Sequence, residues 1–193
     1  TNAPTEGEVL GYTSSAWGGA APPATAQIPF LSWRLLSGSF STGTYAYSAG
    51  HTVIWRNAQF NIDDTTYVTR VASSGSLVPV ATSSWSMYFT LKASALQGKT
   101  VKCVASHQAR SVTGTDEVVY QWAVSPSTFN TYTPIGPKAR QTQDYVTEAY
   151  GHYTVGATDI NVALMIVEQT GGVNLINSSN GNLMYMHMSI VGE

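Results

Sequence analysis

Charge is what this chain has least of. Only 10% of its 193 residues are Asp, Glu, Lys or Arg, and Lys+Arg 9 against Asp+Glu 11 gives a formal net charge of -2. Globular domains usually carry about 25% charged residues. So low a fraction excludes a coiled coil and a disordered chain, and it argues against an ordinary cytosolic enzyme surface. It leaves no basic stripe to neutralise phosphates, so nucleic acid is not an expected partner. Cysteine is almost as scarce. Cys103 is alone, which excludes an intrachain disulfide and with it the stapled secreted modules. No apolar run approaches the ~18 residues of a membrane span, so no membrane insertion is expected. Thr1-Asn2-Ala3-Pro4 carries neither the basic nor the apolar region of a signal peptide. Helical periodicity is missing too: Ser94-Ala95-Leu96-Gln97 offers one short turn, and no segment sustains the pattern over three turns.

What the chain has is alternation. In residues 182–191, Met184, Met186, Met188 and Ile190 fall on one face, while Tyr185, His187 and Ser189 fall on the other. That period of two predicts a half-buried strand. Residues 84–91 repeat it, with Trp85, Met87, Phe89 and Leu91 inward. Residues 160–167 are apolar on both faces and predict a central or interface strand. Weaker strand candidates are 30–36, 53–55, 67–71, 100–104, 118–124 and 145–149. Clusters such as Ser73-Ser74-Gly75-Ser76 and the run 177–182 separate them. This rhythm predicts an all-β, antiparallel β-sandwich of jelly-roll type over residues 28–193. Residues 1–27, broken by Pro4, Gly7, Gly11, Gly18, Gly19, Pro22 and Pro23, read as a short extended segment leading into it. A chain so poor in charge stays soluble through hydroxyls and amides, or hides surface in an oligomer.

The leading segment reads Gly7-Glu8-Val9-Leu10-Gly11-Tyr12-Thr13-Ser14-Ser15-Ala16-Trp17, followed by Pro22-Pro23. It resembles the G-x-V-L-x-Y/W-x-x-S-x-W-x-x-x-x-P segment of bacteriophage tail fibres, where it sits near the end of a trimeric shaft. Gly7 and the Ser14-Ser15 pair suit tight turns, and Val9, Leu10, Tyr12 and Trp17 are too apolar for a free linker. The rest is similar to the C1q/TNF-like heads at the tips of some trimeric appendages. The likeness rests on the turn at residues 37–43, the strand holding Trp85, Met87 and Phe89, and the last strand, 183–190. It implies a homotrimer joined to other virion tail components and made in the host cytoplasm. It also implies a last strand near the trimer axis, with the methionine face turned towards it.

The chemistry candidates are few. His51, His107, His152 and His187 show no metal-ligand spacing. His187 reads as a surface or trimer-interface side chain. Asn61-Ile62-Asp63-Asp64-Thr65 is rich enough in oxygen for Ca2+ but lacks the spaced calcium-loop pattern, and a solvated turn is the preferred reading. Asp116-Glu117 after Thr113-Gly114 reads as a hairpin turn. No metal or cofactor is expected. There is no G-x-S-x-G, and Asp144, Glu148 and His152 on a strand would share a face but lie too far apart for one reaction centre. Catalysis is not expected.

The same stretch suits sugar recognition. Gln143, Asp144, Tyr145, Glu148, Tyr150, His152 and Tyr153, beside Gln141, combine flat aromatic faces with planar polar groups. Tyr45 and Tyr47 form a second candidate, since tyrosine gives contact area at low entropic cost. The alternative for both stretches is packing on strands or between protomers, and for residues 40–51 packing is preferred. The expected function is that of a tail-fibre head binding a host-surface receptor, a glycan above all. A structural decoration protein and a glycan-modifying enzyme stand as alternatives.

Overall fold

The computed structural model describes residues 9–13, 16–20, 29–34, 46–47, 49–50, 52–53, 60–72, 87–107, 109–111, 117–127, 129–142, 147–170, 173–175 and 185–192. For 9–13, 16–20, 46–47, 72, 107, 109–111, 142 and 173–175 the backbone alone is described. In chain order the strands are β1 (Val9–Thr13), β2 (Ala16–Ala20), β3 (Pro29–Arg34), β4 (Ala46–Tyr47), β5 (Phe60–Asp63), β6 (Val68–Ala72) and β7 (Met87–Leu91). After the helical turn α1 (Ala93–Leu96) come β8 (Thr100–His107), β9 (Ala109–Ser111), β10 (Glu117–Ser125), β11 (Thr133–Pro134) and β12 (Ala139–Thr142). The last four are β13 (Thr147–Thr154), β14 (Ile160–Thr170), β15 (Val173–Leu175) and β16 (Tyr185–Ile190).

The strands build the antiparallel β-sandwich that the alternation predicts. One sheet runs β6-β7-β14-β10, and β11 and β12 share the free side of β10 to make six strands. The facing sheet runs β13-β8-β16-β3-β5. Neighbours distant in sequence, such as β8 beside β16 and β14 beside β7, show that the chain crosses repeatedly between sheets, as a jelly roll requires. A separate hairpin pairs β1 with β2 in the register Thr13 opposite Ala16. Ser14 and Ser15, the pair read as a tight turn, lie outside the described residues. So do Trp85 and Met184, the 37–43 and 73–76 turns and Asp116.

Alternate residues from both sheets fill the space between them. Met87, Phe89 and Leu91 on β7, Tyr120 and Trp122 on β10, and Leu31 and Trp33 on β3 are each at most 2% exposed. Burying one such side chain contributes roughly 1.5–3 kcal/mol. Met186 and Met188 belong to the same cluster, both at 0%. This corrects one expectation. The methionine face of the last strand is covered by its own chain, so it supplies no reason for a trimer axis.

β14 is a central strand, as its two apolar faces predict. Val162, Leu164 and Ile166 point into the core, and Ala163 and Met165 point out. The outward pair is covered by Phe129 from the turn after β10, with Ala123, Tyr88 and Val167 alongside. Thr52 bridges to Met165 and its hydroxyl accepts the Met87 N–H at 2.9 Å.

The sandwich is laced shut along one side. Between β11 and β12 the chain leaves β10, and Ile135 bonds both sheets: its N–H donates to Trp122 O, and its carbonyl accepts the His152 N–H, each at 2.9 Å. Trp122 Nε1–H donates to Ala149 O at 3.1 Å, and Gln121 Nε2–H to Gly136 O at 2.8 Å. The approach is too close for side chains. A Cβ on Gly136 would lie 1.9 Å from the Tyr150 carbonyl oxygen, and one on Gly151 would lie 2.8 Å from Trp122 Cβ. Glycine is required here for close backbone passage.

Candidate functional site

The outer face of the five-stranded sheet is built by strand alternation. On β13, Ala149, Gly151 and Tyr153 turn towards the core, so Glu148, Tyr150, His152 and Thr154 turn out. On β8, inward Val101, Cys103 and Ala105 leave Lys102, Val104 and Ser106 outward. On β16, inward Met186 and Met188 leave Tyr185, His187 and Ser189 outward.

Register aligns these into rows across the sheet. Glu148 lies opposite Ser106, Ser106 opposite Tyr185, and Tyr185 opposite Arg34. The next row is Tyr150, Val104, His187, Ser32 and Ile62. The third is His152, Lys102 and Ser189. In the first two rows a small side chain on β8 stands between larger ones on β13 and β16. The flanking backbones are about 10 Å apart at ordinary strand spacing. Tyr185 spans this gap in the first row, its hydroxyl donating to Glu148 Oε2. Ser106 beneath the bridge is only 3% exposed, and Val104 in the next row is 4% exposed. The second row has no such bridge: Tyr150 is 46% exposed.

Rings dominate the surface. Tyr185 stacks on His187 with centroids 5.8 Å apart and planes 10° apart. Tyr150 meets His152 edge-on at 6.4 Å. The hydrogen bond to Glu148 raises the Tyr185 hydroxyl pKa to about 12, with burial and the Glu148 charge adding to it. Half-burial is the main cause holding the His187 imidazole below its ordinary value; Lys102 pushes the same way and Glu148 opposes it. The result is a face of rings edged by Arg34 and Lys102 and carrying, among the described residues, one carboxylate, Glu148. Stacked rings and planar polar groups offer apolar contact to C–H surfaces and fixed hydrogen bonds to hydroxyls.

Of the residues expected to bind, Glu148, Tyr150 and His152 come together here. Tyr153 takes the opposite side of β13 and packs against the core. Gln141 is buried on β12. Gln143, Asp144, Tyr145 and Tyr45 lie outside the described residues. Tyr47 lies on β4, which pairs with β15 in a sheet separate from β13. The sequence reading omitted Tyr185, His187, Lys102 and Arg34 from the site. The alternation that put Tyr185 and His187 on one face was their signal, but pairing of β16 with β8 was not deducible from it.

The calcium candidate has other partners. Asp63 pairs with Arg70 at 2.7 Å, and Arg70 lies over the Phe60 ring at 4.5 Å. Asp64 Oδ1 accepts the Thr66 N–H at 2.9 Å, and that bond lowers the Asp64 pKa. Among the described residues no three His, Cys, Asp or Glu side chains converge on a metal-sized site. Cys103 is buried and desolvation raises its thiol pKa, which keeps it unreactive.

No protein-family description matches this chain, and no curated protein does. Among solved structures, the CBM22-1 xylan-binding domain of Paenibacillus barcinonensis Xyn10C is similar at 12% identity and a TM-score of 0.39, covering 89% of this chain and 99% of that one. The Eiger TNF of S. frugiperda is similar at 9% identity and a TM-score of 0.36, covering 86% and 95%. A family 16 carbohydrate-binding module matches at 12% identity and a TM-score of 0.22, covering 66% and 86%. These neighbours are carbohydrate-binding modules and a TNF-like domain. Likenesses this remote carry no argument about what the present chain binds.

Proposed function

We propose that the protein is an attachment module that binds a cell-surface glycan on the outer face of its five-stranded sheet and breaks no bond. The observation that carries this reading is the exposed Tyr150 ring, facing the Tyr185–His187 stack across Val104. A solvent-facing sheet surface has no structural need for four ring side chains. A pyranose has use for them, because its C–H face stacks on rings while its hydroxyls meet Glu148, Arg34 and Lys102.

The finer proposal is that this sandwich is the head of a phage-type tail fibre. Its support is the resemblance of residues 4–23 to a shaft-end segment. In that setting three heads on one fibre, and several fibres on one particle, turn weak single contacts into firm adhesion. Light scattering on the purified protein checks the trimer; a mass of 20.6 kDa would rule it out. Glycan-panel and host-cell binding check the adhesion. Wild type is expected to bind and Tyr150→Ala to lose at least about tenfold, as the loss of an exposed stacking ring predicts. Absence of any glycan or cell binding would overturn the reading. Release of reducing ends or acetate from host polysaccharide would replace it with an enzyme.

A further inference from the structure

The cationic side chains among the described residues divide into those already engaged and those not. Arg70 pairs with Asp63. Lys138 and Arg140 pair with Glu168, and Arg140 also with Glu117. Lys92 donates to the Thr65 carbonyl, and Lys99 is engaged as well. Lys102 and Arg34 differ: neither side chain has a hydrogen bond or ion pair among the described residues. Both lie on the outer face of the five-stranded sheet, Lys102 beside His152 and Arg34 beside Tyr185. Among the described residues, the two cations without such a partner stand on the same ring-bearing face, in a chain with only 9 Lys+Arg.

The single carboxylate on that face among the described residues is turned away from competition. Glu148 accepts the Tyr185 hydroxyl. It stands four residues before His152, the register partner of Lys102, so about 13 Å separates the two along the strands. Lys102 and Arg34 are themselves about 17 Å apart by strand spacing, on either side of Val104 and the stacked rings. That is the span of a short oligosaccharide. Screening over ~8 Å in physiological salt makes each cation act at contact range, so the net charge of -2 does not oppose an anion here.

We infer that the saccharide this face takes is acidic, with a ring-borne carboxylate, as in a uronic or sialic acid, placed against Lys102 or Arg34 while the sugar ring stacks on Tyr150. The guanidinium fork of Arg34 matches a carboxylate with two parallel bonds, and Lys102 offers a point charge. The inference rests on the proposed glycan face and narrows it to a chemical class.

The test uses trigalacturonic acid and trimeric N-acetylneuraminic acid, each against its methyl ester, which keeps the rings and removes the charge. A panel of neutral oligosaccharides is added. Binding of the full chain is measured by calorimetry at low and high salt. The acids are expected to bind at least about tenfold more tightly than their esters, the scale of one charge-assisted contact. The advantage should shrink in high salt. Lys102→Gln with Arg34→Gln should bring the acid down to the affinity of its ester, whereas Tyr150→Ala should weaken acid and ester by the same factor. Equal affinity for acid and ester, with both lowered by Tyr150→Ala, would overturn the acidic class and keep the face. Survival of the advantage in the double variant would also overturn it. Binding of neutral sugars alone would do the same, and failure of every probe would overturn the glycan reading beneath it.

Discussion

On the six-stranded sheet, Ala123, Ala163 and Met165 point away from the core yet are fully buried, covered by Phe129 and flanked by Tyr88. On the five-stranded sheet, Tyr150 points away from the same core and is 46% exposed. The two outer faces obey opposite rules. The first is closed by the chain itself, so β14 reads as apolar on both sides. The second is left open along β13, which alternates between core and surface, while β16 alternates as far as Met188 and then buries Ser189 as well. An open face on a protein with so few charges must be wetted by something else. Here that is tyrosine, histidine and threonine, groups that also suit a saccharide. What a sheet leaves uncovered therefore tells more about function than what it buries.

The seam that holds the two sheets together gives the largest effect. Trp122 is fully buried and its indole N–H ties β10 to the Ala149 carbonyl on β13. Trp122→Ala is expected to cost about 3–5 kcal/mol in denaturant unfolding. Gly136→Ala acts on the same seam through the Tyr150 carbonyl. It should lower stability and, because it shifts the strand that carries Tyr150 and His152, weaken glycan binding as well. A stable Gly136→Ala protein with unchanged binding would show that the seam and the open face are independent.

The comparison itself is tested by a crossed pair. Phe129→Ala uncovers Met165 and should cost roughly 2–4 kcal/mol, as a large buried ring does, without change in binding per folded molecule. Tyr150→Ala should do the reverse, moving stability by about 0.5 kcal/mol or less, as surface changes do, while binding falls. Unfolding curves and calorimetry on both variants decide it. If Phe129→Ala weakened binding and Tyr150→Ala did not, the closed and open faces would have to exchange roles.

Much of the sandwich is legible in the sequence because strand alternation is a local signal. The inward set Met87, Phe89, Leu91 on β7 and the split of Met186 and Met188 from Tyr185 and His187 on β16 follow from period two alone. The partner of each strand does not. The methionine face looked like a contact between protomers because nothing local says that β3 and β8 flank β16 and that the facing sheet covers it. The site was half legible for the same reason. Glu148, Tyr150 and His152 lie on one strand and were found together, whereas Tyr185, Lys102 and Arg34 join them only through register. Tyr153 looked equivalent to Tyr150 in composition and falls on the other side of the pleat.

The smallest expected effect is in the pH dependence of the open face, and it has two arms of opposite sign. His187 has its folded pKa below the ordinary histidine value of 6.5. The unfolded chain therefore takes up the proton first, and stability is full above about 6.5 and declines as pH falls towards the folded value. Tyr185 has its folded pKa raised from 10.0 to about 12. Here the folded state holds the proton longer, so the contribution is full below about 10 and is lost as pH climbs to about 12. His187→Gln should flatten the acid arm alone, and Tyr185→Phe the alkaline arm alone, in thermal unfolding followed across pH. The Tyr185 hydroxyl should also ionise above the ordinary tyrosine value of 10.0 in an absorbance titration that compares wild type with Tyr185→Phe. Variants on the closed face, Phe129→Ala among them, should leave both arms in place, since no titrating side chain stands in the apolar cluster beneath Phe129 except Tyr88 at its edge. If Phe129→Ala removed either arm, the pH response would belong to the whole sandwich and not to its open face.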